Sequence, residues 1–209
     1  MIGWGALRRR ADARGQGIVE FTYALPILLL ILVGMVELGM AYNDTLTLGY
    51  ATREGARVGS ALGNGGAASC NGGADPAGVD ASIVAAVQRI IMSPGSDVEP
   101  SRIAEIRIYR ATETGAISGG LVNRWRWAPG RGPDVDPGAG AARLDFAESA
   151  RGWSACGRVA NGRPDALGVQ IVYSYRLRTP LGALMAIFGQ DQGPTFELRD
   201  QTVMSLNPA

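Results

Sequence analysis

The sequence predicts an α+β protein: one long N-terminal helix, transmembrane in its first part, followed by a small antiparallel sheet with one packed helix. Three observations predict it. Phe21 to Val36 is a run of sixteen residues without a charge, bracketed by Glu20 and Glu37. Ala81 to Met92 repeats apolar residues at helical spacing. Three later segments, Arg102–Ala111, Leu167–Thr179 and Thr195–Leu206, read as strands. At 209 residues the chain holds a membrane segment and one ordinary domain of ~100–150 residues.

Residues 1–15 form a basic leader, broken by Gly3, Gly5 and Gly15, that needs no fold of its own. Arg8, Arg9, Arg10 and Arg14 against Asp12 give it a net charge of +3. The rest of the chain is slightly acidic, which argues against a nucleic-acid partner. Residues 16–42 are the expected span. The stretch Ile18–Tyr42 extends ~37 Å at ~1.5 Å per residue, enough for a hydrocarbon core of ~30 Å. Four arginines precede the span and only Arg53 and Arg57 follow closely, so the N-terminus is expected in the cytoplasm and the remainder on the far side. Pro26 leaves the Thr22 carbonyl without its helical partner, which membrane helices tolerate, and predicts a mild kink.

Glu20 is the informative charge in this segment. A carboxylate at mid-bilayer costs ~2.5–3.5 kcal/mol, less near the edge, and tends to be retained for a reason. It lies one turn after the Gly15-Gln16 bond, and the positive end of the helix dipole favours it there. If that bond is cut, the new α-ammonium of Gln16 can pair with Glu20 on the same or a neighbouring subunit; the alternative is a carboxylate solvated by headgroups. Glu37, at the outer end, either snorkels or meets a partner's arginine.

Residues 43–62 continue the helix, with Leu46, Tyr50, Val58 and Leu62 at four-residue spacing. Ala51, Gly55 and Gly59 make a small-residue seam suited to close approach of another helix, on this domain or on another subunit. The Gly- and Ala-rich stretch 63–80 ends the helix. Residues 63–209 are the expected exported domain. In it, Asp80 is the expected N-cap of helix 81–92. In the strand 102–111, Ile106 and Ile108 face one way and Glu105, Arg107 and Tyr109 the other. A turn or two of helix is expected around Pro180 to Phe188. About 55 residues between the first two strands read as a long Gly- and Pro-rich connection. Its NRWRW motif, residues 123–127, places Trp125 and Trp127 on one face of an extended segment, as in a half-buried strand or hairpin; stacking on single-stranded nucleic acid or carbohydrate is the other reading. The segment 134–145 fits a calcium-loop template only in part, with Ala139 at the position that needs glycine.

Histidine is absent, which removes the commonest general base and zinc ligand, and no nucleotide or nucleophile motif is present. No enzymatic activity, cofactor, metal or small-molecule substrate is expected. Cys70 and Cys156 are too few for a zinc site; they either pair outside the cytoplasm, worth roughly 4–5 kcal/mol by loop closure, or stay as thiols.

The order of leader, Gly15, four residues, Glu20-Phe21 and apolar helix resembles the cleavage region of class III and type IV prepilins, cut after the glycine by a membrane aspartyl peptidase. Two other readings stand beside it: an uncut single-pass anchor, and a signal peptide cut after Ala41. The wider pattern is similar to the TadE-like family of pilus-assembly proteins. It comprises Val19-Glu20-Phe21, Pro26, Glu37-Leu38-Gly39, and Ala51-Thr52-Arg53-Glu54-Gly55-Ala56-Arg57. Pilin subunits of this system usually have Glu-Tyr where this chain has Glu20-Phe21. The resemblance implies a minor pilin or pseudopilin of the tight-adherence (Flp) pilus, held in the bacterial inner membrane and processed by prepilin peptidase at Gly15. Its expected partners are the bilayer, other pilins or pseudopilins and the assembly platform, with a periplasmic, pilin-like α+β domain that becomes extracellular if it enters a fibre.

Overall fold

A computed structural model of the chain describes residues 8–65, 70, 77–135, 143–183 and 195–207. For residues 8–15 and 77 only the backbone is described. Among the described residues the named elements run in the order α1 (Arg8–Leu62), α2 (Ala77–Ile91), β1 (Ile103–Ala111), β2 (Ile117–Trp127), β3 (Phe146–Ala150), β4 (Ala166–Arg176) and β5 (Thr195–Ser205). They fall into two compact units, one of Met1–Met40 with Arg176–Thr195, the other of Ala41–Tyr175 with Phe196–Ala209.

In the first unit, α1 begins at Arg8, inside the leader that was expected to lack a fold. Arginine and alanine are strong helix formers, and nothing between Arg8 and Gly15 stops the helix from running back through them. Ile18, Phe21, Tyr23, Ile27 and Leu28 are all more than half exposed, so the apolar side chains point outward instead of into a core. Among the described residues, one helix, Gln16–Leu62, is long and apolar enough to cross a membrane. The proline sits inside it, and Thr22 Oγ1 donates to the Ile18 carbonyl at 2.8 Å one turn earlier. Residues 181–183 begin a helical turn where one was expected; residues 184–188 of that expectation lie outside the described residues.

In the second unit the sheet order is β3-β2-β1-β4-β5, and β1–β2, β1–β4 and β2–β3 pair antiparallel. The three expected strands are β1, β4 and β5. The expected long connection instead contains β2 and β3, so NRWRW ends a strand. Trp125 is buried, which withdraws its ring from stacking on a ligand, and Trp127 meets Phe146 edge to face at 5.3 Å. Ile106 pairs with Ile171 and Ile108 with Val169, placing apolar side chains beside α2, whose Ile83, Val84, Val87 and Ile91 are buried. On the other face, which Tyr109 shares with Glu105 and Arg107, Tyr109 is buried. It lies opposite Gly168 in the ladder, and its ring fills the space a Cβ would need. Its hydroxyl donates toward the Gly115 carbonyl at 3.1 Å and Gln201 Oε1 at 3.2 Å.

The α2 helix starts at Ala77, so Asp80 is inside its first turn and not its cap. The carboxylate is buried, accepting from Asn123 Nδ2 and Arg158 Nη2, both at 2.6 Å. Asn123 also accepts the Gly152 and Trp153 amides at 2.8 Å, and Arg158 stacks 4.6 Å over the Trp153 ring. This network ties α2 and β2 to the loop that carries Cys156, which is bonded to Cys70 across a separation of 86 residues, with Cα atoms 5.7 Å apart.

Candidate processing and assembly segment

The first part of the candidate site is the start of the apolar helix. The Gly15-Gln16 bond lies within α1, and Gln16, Glu20 and Phe21 are all exposed. Gln16 Nε2 donates to Glu20 Oε1 at 3.1 Å, an i, i+4 contact on one face of the helix. Glu20 is therefore already bridged to the residue whose α-amino group a cut after Gly15 would release.

Glu37, at the far end of the uncharged run, is only 4% exposed. It neither snorkels nor waits for a partner's arginine, as the sequence suggested. Its carboxylate accepts the backbone N–H of Arg178 at 3.0 Å and of Thr179 at 2.8 Å, in the segment after β4. Burying a carboxylate requires several donors, and two main-chain amides supply them here. This contact also explains why β4 stops at Arg176, although the strand pattern ran on to Thr179: those amides turn to the helix instead of the sheet.

The second half of α1 buries residues 44, 48, 51, 52, 55, 56, 59 and 60, a helical stripe, and leaves Leu46 and Tyr50 exposed. The small residues of the seam therefore face this chain's own domain. A Cβ on Gly55 would come within 2.7 Å of Val87 Cγ2, and one on Gly59 within 2.9 Å of Ile83 Cδ1. The close approach predicted for the Ala51, Gly55 and Gly59 seam is made within the chain, with Gly55 and Gly59 against α2 and β4 and Ala51 buried beside them. Thr52 extends the stripe, donating to Asp200 Oδ1 at 2.5 Å and lying 3.0 Å from Thr202 Oγ1 on β5. The helix ends at Gly63, whose φ of +57° lets its N–H reach the Gly59 carbonyl at 3.0 Å.

Arg53 and Arg57 remain on the outer face. Arg57 binds Glu54 through Nε at 2.9 Å and Nη2 at 2.6 Å. The Arg57 hydrogen bonds hold the Glu54 carboxyl below its ordinary value, and the same contact raises Arg57. Among the described residues no group of His, Cys, Asp and Glu could hold a metal ion. Of the acidic residues in the calcium-loop template, Asp134 bridges to Arg143 and Asp145 accepts the Gly130 amide, while residue 136 lies outside the described residues.

Sequence reasoning missed the Arg178 and Thr179 amides as partners of Glu37 because they are backbone groups, which no side-chain pattern reveals. A buried-acid signal was present, since Glu37 stands at the end of an uncharged run with no basic residue within a turn.

These features define a class: an apolar helix long enough to cross a membrane, joined to an α+β unit that packs on the helix's second half. Residues 15–57 match the family model described as TadE-like protein. The match starts on the glycine before the Gln16–Glu20 contact and ends on Arg57 of the Glu54 pair, and at family level it links the chain to the tight-adherence pilus system. No curated protein and no solved structure matches the chain.

Proposed function

We propose that the chain is an inner-membrane minor pilin or pseudopilin that works by assembly, not catalysis, in a tight-adherence (Flp) pilus. The observation that carries this reading is the spacing of Gly15 and the exposed Gln16, Glu20 and Phe21 at the head of an apolar helix, within the TadE-like segment. A prepilin peptidase cuts after Gly15, and the α-ammonium of Gln16 takes over the contact with Glu20 that the Gln16 side chain makes in the uncut chain. A helix terminus frays at little cost, so the bond can be presented to a peptidase by opening the first turns of α1. The leader stays in the cytoplasm and the sheet unit is periplasmic. Arg53, Glu54 and Arg57, on the outer face of the second half of α1, face other pilins or platform proteins.

Coexpression with a prepilin peptidase tests this reading. The wild-type chain should shorten by its leader, and Gly15→Leu, which places a side chain at the cut, should stay full length. A chain that keeps its length with active peptidase supports an uncut scaffold. One that is shortened to Tyr42 without the peptidase supports a secreted domain.

A further inference from the structure

The segment between β4 and β5 belongs to the same compact unit as the first forty residues, and its described part lies along the apolar helix. We propose that residues 177–183 form a second membrane-inserted element, which leaves the sheet, turns at Glu37 and re-enters the hydrocarbon layer beside α1; this rests on the membrane reading above.

Three independent features of these residues carry the inference. The first is depth. Pro180, Leu181 and Ala183 line a cavity of about 460 Å³ with Pro26, Leu29, Leu30 and Val33, and every lining residue is apolar. Measured along the helix, Leu30 lies ~10 Å and Pro26 ~16 Å inward from Glu37 at ~1.5 Å per residue. Half of a ~30 Å hydrocarbon core is ~15 Å, so with Glu37 at the edge these residues reach toward the midplane.

The second is backbone satisfaction. Irregular chain at membrane depth persists only where its polar groups are internally bonded. The Arg178 and Thr179 amides are taken by Glu37, Pro180 has no amide hydrogen, and the Gly182 amide donates to the Thr179 carbonyl at 3.1 Å. The chain thus turns inward with these donors removed from competition with water.

The third is composition. Pro180 opens an apolar stretch of nine residues, PLGALMAIF, while Arg176 and Arg178 precede it. In a soluble loop such a run would need a core. Here its described residues sit against leucines that are themselves about half exposed, such as Leu29 and Leu30, so lipid acyl chains are the occupant that covers both.

Nitroxide labels test this on the full chain in phosphatidylcholine–phosphatidylglycerol vesicles, with Cys70 and Cys156 kept oxidised. Labels are placed at Leu181→Cys, with Ala183→Cys as the second site if the first does not fold, at Leu30→Cys for the helix and at the exposed Glu113→Cys for water. The expected result is that the label at 181 or 183, like that at 30, relaxes with oxygen and loses collisional broadening by an aqueous nickel chelate. A label at 181 or 183 that is broadened as strongly as that at 113, with the label at 30 still protected, overturns this proposal alone. Broadening at 30 as well overturns the membrane reading and this proposal with it.

Discussion

Glu37, in the apolar helix, receives the backbone N–H of Thr179 at 2.8 Å, joining two parts of the chain that are 142 residues apart. A charge placed at the end of an uncharged run thereby accepts two main-chain N–H groups from the segment after β4. Hydrogen bonds to a charged acceptor are worth ~1.5–3 kcal/mol, so Glu37→Ala should raise hydrogen exchange at the Arg178 and Thr179 amides by ~10–100-fold. Glu37→Gln, which keeps one acceptor oxygen, should give a smaller rise. Unchanged exchange in Glu37→Ala would show that the contact holds nothing.

Gly55 and Gly39 give opposite expectations although both are helical glycines. A Cβ at Gly55 meets Val87 at 2.7 Å, whereas one at Gly39 meets nothing within 4 Å. Overpacking costs ~1–3 kcal/mol, so Gly55→Leu should lower the thermal midpoint of the detergent-solubilised protein by several degrees. Gly39→Ala should leave it unchanged or slightly raised. Equal midpoints in the two variants would contradict the cis packing of the seam.

Glu105 sets an acid limit on the sheet. Burial alone would raise its carboxyl, but hydrogen bonds from Arg107 and Arg124, on the adjoining positions of β1 and β2, hold it below the ordinary value of 4.5. A depressed carboxyl stabilises the fold fully above its unfolded value and loses that contribution as pH falls through the folded value. Glu105→Gln should therefore cost ~1–2 kcal/mol at neutral pH. Its deficit against wild type should shrink as pH drops below 4.5. Denaturant melts at pH 7 and at pH 3.5 measure both; a deficit independent of pH would place its cause in packing rather than charge.

Much of this architecture was legible in the residues, and the omissions have physical causes. β1, β4 and β5 alternate or run apolar, and their limits came within a residue or two except where Glu37 draws Arg178 and Thr179 away from β4. The strand β2 was hidden because Gly119 and Gly120 break its pattern; both have positive φ, at +56° and +76°, where the strand bends. The short β3, FAESA, has no alternation to read and exists only by pairing with β2. The Asp80–Asn123–Arg158 network joins three distant parts of the chain through polar residues that look solvent-facing in sequence. In the candidate site, Glu20, Glu37 and the glycines stood out, but whether a glycine seam meets its own domain or another subunit depends on tertiary packing alone.

Glu20 can be separated from the cut it follows. Glu20→Ala removes the group that the α-ammonium of Gln16 would meet, but leaves Gly15 and the apolar helix intact. Such a variant should still be shortened by the peptidase yet fail to complement pilus formation, scored by fibre counts and surface adhesion. Normal pilus formation by the shortened variant would remove the pairing from the mechanism.

The most direct test is the identity of the first residue of the protein recovered from the membrane fraction of cells that make the pilus, read by N-terminal sequencing. A processed minor pilin or pseudopilin must begin at Gln16. A first residue ahead of Gly15 would show an uncut anchor, and Tyr42 a secreted domain; either would contradict processing at the glycine.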